Sequence, residues 1–312
     1  MCTLPGFVVN SSFEKKTHLK ASDGKCPKQN TMNNLIFNHS TAPTRLIEID
    51  SVDFAYRTFG KPSGIPLVCL QHFTGTMDNW DPIITNGLAS ERQVILIDNR
   101  GVGNSAGDVP DNVEQMTLDA LKIIDALGIR HCDLLGFSLG GFIAQLIAFQ
   151  RPELLRKIIL VGTAPQGAEI LREFPKLIAK SLPLEAIERF LFLFFSPSEL
   201  SRSKGKLTLK RLYERSEDRD SEITMQAMQA QIKALTKWGT DVVTIDLGKI
   251  LHPVLIINGS DDRMMDSMNS IALFKALPKA VVALYPDSAH GSFFQYPELF
   301  VDQANSFLNN FE

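Results

Sequence analysis

The sequence predicts an α/β fold built on a doubly wound, mostly parallel sheet, and two patterns indicate it. Short apolar runs, most of them with β-branched residues, recur along the chain, as expected for parallel strands covered on both faces. Helical segments separate several of these runs, and such alternation is typical of doubly wound sheets. With 312 residues, 44% hydrophobic and 21% charged, the chain suits one large soluble domain with an insertion, or two small domains.

The strands begin with a predicted hairpin, in which residues 45–49 and 54–59 flank Asp50-Ser51. The other strand candidates are residues 66–70, 94–98, 132–135, 158–161, 254–258 and 280–285. Helices are predicted over residues 112–127, 139–149 and 297–308. The second of these is apolar nearly all round, which predicts burial against the sheet.

Two segments fall outside this alternation. Residues 1–43 are rich in Asn, Ser, Thr and Lys and are predicted to form a mostly disordered arm, in which Met32 offers a second start, so whether residues 1–31 belong to the native mature chain stays open. Residues 165–249 hold no strand candidate and are predicted to be a helical lid inserted over one edge of the sheet, with helical stretches at 187–195 and 223–238 around a charged stretch at 201–220. Residues 44–164 and 250–312 then form the core.

The composition favours a small-molecule partner. A net charge of -3 gives no electrostatic reason to expect nucleic acid or an acidic membrane, and the oligomeric state stays unknown. No Cys or His spacing matches a zinc site, so no metal and no organic cofactor is expected. The four cysteines, no run of 18 apolar residues and no signal-peptide pattern together favour a cytoplasmic protein. Those cysteines are Cys2, Cys26, Cys69 and Cys132.

A candidate nucleophile stands in Gly136-Phe137-Ser138-Leu139-Gly140, between a strand candidate and a helix. A sharp strand-to-helix turn forces strained backbone angles on the serine, and neighbours without side chains avoid clashes there. The pattern therefore predicts an exposed Ser138 hydroxyl at the carboxyl edge of the sheet. A glycine-rich turn that binds nothing is the alternative.

A serine needs a base, and the chain has six histidines. His18 and His39 fall in the predicted arm, and His131 and His252 precede strands, at the opposite edge. His290 follows the last strand and reaches the edge of Ser138, so it is the predicted base. His72 is more simply explained by orientation of its own loop.

The base in turn needs a carboxylate, and the penultimate strand ends in a loop with three aspartates. Asp261 and Asp262 both stand at the right edge, and Asp266 is a third option. The oxyanion formed during attack needs N–H donors. The backbone N–H groups of Leu139 and of Phe73, in the loop after residues 66–70, are predicted to supply them.

With these motifs the chain resembles the α/β-hydrolase family over residues 45–308. Residues 98–105 (DNRGVGNS) are similar to the family turn D-x-R-G-x-G-x-S, and residues 259–262 (GSDD) to its G-x-x-D acid loop. The resemblance implies Asp262 as the acid and the chain order Ser138, Asp262, His290. It also implies that residues 165–249 correspond to the variable lid. Residues 98–105 are interpreted as a structural turn in which Arg100 ties loops together.

The resemblance extends to small esterases and to cofactor-free haloperoxidases or perhydrolases. Many relatives carry His-Gly before the oxyanion residue, where this chain has Gln71-His72. Ser138 argues against the subgroups with an aspartate nucleophile, and the absence of an HGGG-type motif argues against hormone-sensitive-lipase-like relatives.

The predicted function is a serine hydrolase that cleaves an ester, lactone or related acyl bond of a small, fairly apolar substrate through an acyl-enzyme on Ser138. Lid aromatics would supply an apolar pocket, although ordinary packing explains most of them equally well. These are Phe190, Phe192, Phe194, Phe195 and Trp238. Two alternatives stay open: a perhydrolase, haloperoxidase-like or lyase activity in the same pocket, and a small-molecule receptor on this fold.

Overall fold

The computed structural model describes residues 37–311, which fold around an eight-stranded sheet. Each strand overlaps its predicted position, because apolar runs of this length are buried on both faces of a parallel sheet. The strands in chain order are β1 (Arg45–Ile49), β2 (Val52–Gly60), β3 (Leu67–Leu70), β4 (Gln93–Ile97), β5 (Cys132–Phe137), β6 (Leu155–Val161), β7 (Val254–Gly259) and β8 (Ala280–Tyr285).

The sheet order is β1-β2-β4-β3-β5-β6-β7-β8. The first two pairings, β1 with β2 and β2 with β4, are antiparallel, and all the others are parallel. The predicted doubly wound, mostly parallel sheet is therefore confirmed. The central strands β3 and β5 are buried along their whole length, which explains their uninterrupted apolar sequence.

Ten α-helices lie within residues 37–311. The three predicted core helices are present as α2, α3 and α10, and the two predicted helical stretches after β6 as α5 and α7. The helices are α1 (Pro82–Ala89), α2 (Val113–Ala126), α3 (Leu139–Gln150), α4 (Phe174–Ser181), α5 (Ala186–Phe194), α6 (Glu199–Leu212), α7 (Met225–Thr240), α8 (Ser267–Ala276), α9 (Ser292–Gln295) and α10 (Pro297–Asn310).

The charged stretch at residues 201–220 contains a helix that the sequence pattern does not single out. Most of this stretch is helical, as α6. The side chains that α6 buries are Ser201, Gly205, Thr208 and Leu212. They recur at a helical spacing, but three of the four are small or polar. A search for apolar periodicity therefore misses this face.

Buried contacts with the rest of the chain begin before residue 44. Residues 37–43 of the predicted arm lie in the described part, and His39 and Ala42 are buried there. The His39 N–H donates to Asn86 Oδ1 at 2.8 Å, and Arg215 Nη1 donates to the Ala42 carbonyl at 2.9 Å. The composition of residues 1–43 does not indicate these long-range contacts. The rest of the predicted arm, with Met32, lies outside the described residues.

The carboxyl ends of β3, β5, β7 and β8 meet at one edge of the sheet, since these strands run parallel. The loops at that edge carry Phe73, Ser138, Asp262 and His290. Helices α4 to α7 follow β6 and precede β7 in the chain. Among the helices of the described part, none has the length and apolarity to cross a membrane.

Candidate active site

The turn between β5 and α3 holds Ser138 in a strained conformation, with φ 54° and ψ -114°. A Cβ atom at Gly136 would lie 2.5 Å from the Gly140 carbonyl oxygen, and one at Gly140 would collide with the Leu70 carbonyl. Both glycines of the pentapeptide are therefore required by close backbone approach. The Ser138 carbonyl accepts hydrogen bonds from the Gly141 N–H at 2.8 Å and from Thr163 Oγ1 at 2.9 Å, which hold the turn in place.

The loops after β7 and β8 bring Asp262 and His290 together. His290 Nδ1 lies 2.8 Å from Asp262 Oδ2, and both side chains are fully buried. The other carboxylate oxygen, Oδ1, accepts from the N–H groups of Met264 at 2.8 Å and Met265 at 3.0 Å. These two donors fix the carboxylate, so that it can orient the imidazole and stabilise a positive charge on it.

The other two candidate aspartates are engaged elsewhere. Asp261 is exposed and its carboxylate accepts from Ser260 Oγ at 2.6 Å. Asp266 caps the N-terminus of α8 by accepting from the Met268 N–H at 2.8 Å. Among the three, Asp262 is thus the one that the fold pairs with His290.

Ser138 has no exposed surface, so the expectation of an exposed hydroxyl is wrong. Ser138 Oγ and His290 Nε2 are both buried and have no hydrogen-bond partner among the described residues. Unsatisfied buried groups are uncommon in folded proteins. In structures without substrate, the hydrogen bond between a nucleophile and its base is often too long or poorly aligned to count as formed. Ser138 Oγ and His290 Nε2 are the two atoms that such a pair would use, because Nδ1 of the same ring already faces Asp262.

Gly162, directly after β6, closes the site behind His290. Its φ is +51°, and a Cβ atom there would lie 3.2 Å from both Cε1 and Nδ1 of the His290 ring. The Gly162 N–H donates to the Ile257 carbonyl at 2.9 Å, which ties this point to β7. The backbone of β6 therefore acts as a wall that limits how far the imidazole can move.

The loop after β3 carries the predicted oxyanion donor. Gln71 Oε1 accepts from the His72 N–H at 2.9 Å, and Gln71 Nε2 donates to the Thr76 carbonyl at 3.0 Å. Thr74 has a positive φ of 62°. The backbone N–H groups of Phe73 and Leu139 have no acceptor among the described residues. Both N–H groups are therefore available to a negatively charged oxygen.

His72 directly precedes the predicted oxyanion residue Phe73, and its ring lies in an aromatic cluster. Nδ1 lies 2.6 Å from the Phe73 carbonyl, so that nitrogen carries the proton and donates. Burial lowers the pKa of His72 to about 3, and the ring is therefore neutral. Its centroid lies 5.0 Å from that of Phe137 and 5.2 Å from that of Phe194. These contacts agree with the expected role of orienting the loop.

Gln231 on α7 is a contact that the sequence did not reveal. Its side chain is fully buried, and Oε1 accepts from the Thr74 N–H at 2.7 Å. Thr74 directly follows Phe73, so a residue from the segment between β6 and β7 holds the predicted oxyanion loop. Several glutamines occur in this stretch, and no local pattern distinguishes the one whose side chain reaches the loop after β3.

A buried charge cluster joins the same segment to the sheet. Arg57 of β2 contacts Asp78 at 2.6 Å and Asp220 at 2.7 Å, with both arginine and carboxylates almost fully buried. The Asp220 N–H also donates to Asp78 Oδ2 at 2.9 Å. Burial, and secondly the nearby Asp220, raise the pKa of Asp98 well above its ordinary value. This cluster fixes residues 76–79, which follow the oxyanion loop.

Arg100 lies in the turn after β4, and its guanidinium donates two hydrogen bonds of 2.8 Å to Asp119 of α2. The contact matches the expected role of tying loops together. The buried thiols Cys69 and Cys132 are free, and burial raises the pKa of both, to about 12 for Cys132. In residues 37–311 no group of three His, Cys, Asp or Glu side chains is arranged to hold a metal ion.

The aromatic residues singled out between β6 and β7 divide into two groups. The Phe194 ring lies 5.6 Å from the His290 ring and stacks on Phe190 at 4.9 Å. Phe192, Phe195 and Trp238 instead make packing contacts. Their partners are the Arg263 guanidinium, the Phe190 ring and the Phe142 ring respectively.

Comparisons with known proteins identify the family of this fold. Residues 65–297 match the family described as alpha/beta hydrolase fold. An alpha/beta hydrolase fold protein from Chitinophaga pinensis has 57% identity and a TM-score of 0.87, over 88% of this chain and 100% of that one. A putative carbamate hydrolase, RutD, from Rhizobium rhizogenes is 26% identical over 82% of this chain and 97% of its own length. A pimeloyl-[acyl-carrier protein] methyl ester esterase from Nitrosomonas europaea is 28% identical over 77% of this chain and 94% of its own length. This chain belongs to the α/β-hydrolase fold family.

Proposed function

We propose that this protein is a serine hydrolase that cleaves an ester, lactone or related acyl bond of a small, fairly apolar substrate through an acyl-enzyme on Ser138. The observation that carries the proposal is the arrangement around His290. Nδ1 of its ring is held by the fixed carboxylate of Asp262, and Nε2 is buried without a partner, as is Ser138 Oγ.

The proposed mechanism follows from these positions. Ser138 Oγ attacks the carbonyl carbon while His290 Nε2 accepts the hydroxyl proton, and Asp262 stabilises the resulting imidazolium. The N–H groups of Phe73 and Leu139 donate to the oxyanion of the tetrahedral intermediate. His290 then returns the proton to the leaving oxygen. Water activated by His290 finally hydrolyses the acyl-enzyme and regenerates Ser138.

Two further observations support this reaction class. The relatives from Rhizobium rhizogenes and Nitrosomonas europaea are named as a hydrolase of carbamates and an esterase of a methyl ester, which favours ester-like bonds as the target. We also propose that residues 165–249 act as a lid. Two residues of this segment contact the proposed site directly: the Phe194 ring lies beside the His290 ring, and Gln231 accepts a hydrogen bond from the loop that carries Phe73.

The test is hydrolysis of short p-nitrophenyl esters by the wild type and by Ser138→Ala. Turnover should fall by at least a thousandfold in the variant. Ser270→Ala is the matched control, because it removes an equally buried hydroxyl that also has no partner in the described part. This control should retain wild-type turnover.

A fluorophosphonate provides the second readout. It should label Ser138 covalently, and peptide mass spectrometry should map the adduct. Equal rates for wild type and Ser138→Ala, or an adduct on another residue, would overturn the proposal. Tight binding of a small molecule without turnover of any ester would favour the receptor alternative.

A further inference from the structure

A cavity of about 830 Å³ lies between α5, α6 and the loop after β3. Its walls are largely apolar. The apolar side chains are Ala186, Ile187, Phe190, Leu193, Phe194, Leu209, Leu212, Tyr213 and Phe294. A volume of this size is typical of sites that enclose a small organic molecule.

The cavity adjoins the proposed catalytic centre. Thr74, the neighbour of Phe73, lines it, and so does His72. The rings of His72 and Phe194 lie 5.2 Å apart, and the Phe194 ring is 5.6 Å from that of His290. Phe194 therefore borders both the cavity and the ring of the proposed base.

The charged side chains that line the cavity are all of one sign. They are Arg189, Lys206, Lys210 and Arg219, with no carboxylate among the described lining residues. This asymmetry is unexpected in a chain with a net charge of -3. It points to an occupant that brings its own negative charge.

The two arginines are already engaged. Arg189 donates to the carbonyls of Ser181, Leu182 and Leu184. Arg219 donates to the carbonyls of Leu212 and Arg215, and its guanidinium also lies over the Tyr213 ring at 4.9 Å. Both guanidinium groups therefore already donate hydrogen bonds within the protein.

The two lysines are in a different position. Lys206 and Lys210 stand one turn apart on α6, so both project from the same side of that helix. Both are exposed, and neither has an ion pair with any residue of the described part. Their ammonium groups are therefore free to meet a ligand at the polar end of an apolar cavity.

A polar cavity of about 540 Å³ adjoins the first and shares Arg189, Tyr213 and Arg219 with it. Two carboxylates with buried side chains line it, Asp78 and Asp220. Both contact Arg57, and Arg215 and Arg219 lie 3.8 and 3.6 Å from Asp78, so cations of the protein itself compensate their charge. The exposed Glu222 is the remaining carboxylate there, and it lines only this second cavity.

We infer that the substrate of the proposed Ser138 hydrolase is an ester with an apolar chain that ends in an anionic group such as a carboxylate. The chain lies between α5 and α6, and the anion lies between Lys206 and Lys210. The inference rests on the proposed function for the reaction, but the charge preference of the cavity is a binding property that can be measured without turnover.

The binding experiment uses Ser138→Ala protein and two probes of equal chain length, monoethyl octanedioate and neutral ethyl octanoate. Titration calorimetry should give about tenfold tighter binding of the anionic ester at low salt, about threefold from each lysine. The preference should shrink as ionic strength rises, because exposed charges are screened. Esters of butanedioate and dodecanedioate, each with its neutral counterpart, then define the chain length.

The lysines are tested by adding Lys206→Gln and Lys210→Gln together to Ser138→Ala. This change should abolish the preference for the anionic ester and leave the affinity for the neutral ester within twofold. The matched control adds Lys204→Gln and Lys275→Gln, two exposed lysines outside the cavity lining, and should retain the preference. Both combinations lower the net charge by the same amount.

Equal affinity for both esters at every chain length, or a preference that survives the loss of Lys206 and Lys210, would overturn the inference. The activity arm compares kcat/KM for the p-nitrophenyl esters of the same acids in the otherwise wild-type protein. Anion-selective binding without any hydrolysis would overturn the proposed function and leave the binding inference standing. Hydrolysis without charge preference would do the reverse.

Discussion

Nδ1 of His290 lies 2.8 Å from Oδ2 of Asp262, and neither side chain has any exposed surface. A hydrogen bond so shielded from water holds the imidazole in one tautomer, with Nε2 left as the proton acceptor. The same carboxylate is fixed by the N–H groups of Met264 and Met265. The tautomer of the proposed base thus depends on Asp262.

Asp262→Asn should therefore lower kcat for ester hydrolysis by on the order of a thousandfold or more. The N–H groups of Met264 and Met265 would hold the amide oxygen, so the amide NH2 group would face Nδ1, favour the wrong tautomer and fail to stabilise the imidazolium. Steady-state kinetics with a p-nitrophenyl ester measures this. Asp261→Asn is the matched control, since its carboxylate is exposed and faces Ser260. A loss of similar size in both variants would contradict the assignment of Asp262.

Gly162→Ala should lower kcat by about tenfold to a hundredfold while KM changes little. The added methyl group would lie 3.2 Å from the His290 ring, and a small displacement of a catalytic group is costly. Gly128→Ala is the control for backbone strain alone. Gly128 has a similar positive φ, +73°, but open space around its missing Cβ.

Urea unfolding and kinetics together separate the two effects. Each glycine variant should lose about 1 kcal/mol of unfolding free energy, because alanine is disfavoured at positive φ. Only Gly162→Ala should also lose kcat. Wild-type kcat in this variant would show that the wall behind His290 does not position the ring.

Gln231→Met should lower kcat about tenfold with KM nearly constant. The methionine fills a similar volume but offers no acceptor to the Thr74 N–H, which Gln231 Oε1 now binds at 2.7 Å. The loop that presents the Phe73 N–H would relax, and oxyanion stabilisation would weaken in the transition state. Gln229→Met, on the exposed face of α7, should behave like wild type. A fall in melting temperature without any change in kcat would mean that Gln231 serves stability alone.

Strand order predicted that an aspartate of the loop after β7 would meet His290, because parallel strands end at a shared edge, and the resemblance to the α/β-hydrolase family implied that this aspartate is Asp262. Local turn chemistry likewise predicted the conformation of Ser138, where the two glycines meet backbone atoms. Both inferences rest on residues that lie within a few positions of the strand or turn that places them. Sequence pattern is most informative at that range.

The contacts of Gln231 and Arg57 could not be predicted in this way. Each joins elements more than 150 residues apart, Gln231 with Thr74 and Arg57 with Asp220. No periodicity encodes such a pairing, since both residues occur among many similar polar residues. Helix α6 was missed for a different reason, as its buried face consists mainly of Ser, Gly and Thr.

Arg57→Met should lower the free energy of unfolding by about 3 kcal/mol at neutral pH, because it removes the cation nearest to both Asp78 and Asp220. Asp78 then keeps only the more distant contacts with Arg215 at 3.8 Å and Arg219 at 3.6 Å. Urea denaturation measures the change. Lys122→Met removes a cation from an exposed pair with Asp50 and should alter stability far less. Equal effects in the two variants would show that burial does not strengthen the Arg57 cluster.

The same variant has a pH signature. The pKa of Asp220 is already raised to about 6, mainly by burial, while the charge of Arg57 lowers it and the charge of Asp78 raises it. Loss of Arg57 should raise that pKa further, so the carboxyl becomes neutral at a higher pH. The defect of Arg57→Met should therefore be smaller at pH 5 than at pH 8. A defect that grows on acidification would contradict this account.

His39 should make the protein less stable in acid. Burial is the main cause that lowers the pKa of His39 to about 4, with the charge of Arg57 the second, against an ordinary value of 6.5. Between these two values the unfolded chain binds more protons than the folded one, so stability rises with pH across this window. The stabilisation is complete above pH 6.5 and is lost as the pH falls towards 4, with an upper limit of about 3 kcal/mol.

His39→Gln should remove this contribution, because glutamine does not titrate and can still pair with Thr85, whose Oγ1 lies 3.0 Å from His39 Nδ1. Urea unfolding at several values between pH 4.5 and 7 measures the slope of stability against pH for both proteins. The slope should be shallower in the variant but still positive. His72, with a pKa lowered to about 3 by burial, contributes in the same direction and is unchanged. Parallel curves for the two proteins would mean that His39 has the same proton affinity in the folded and unfolded chain.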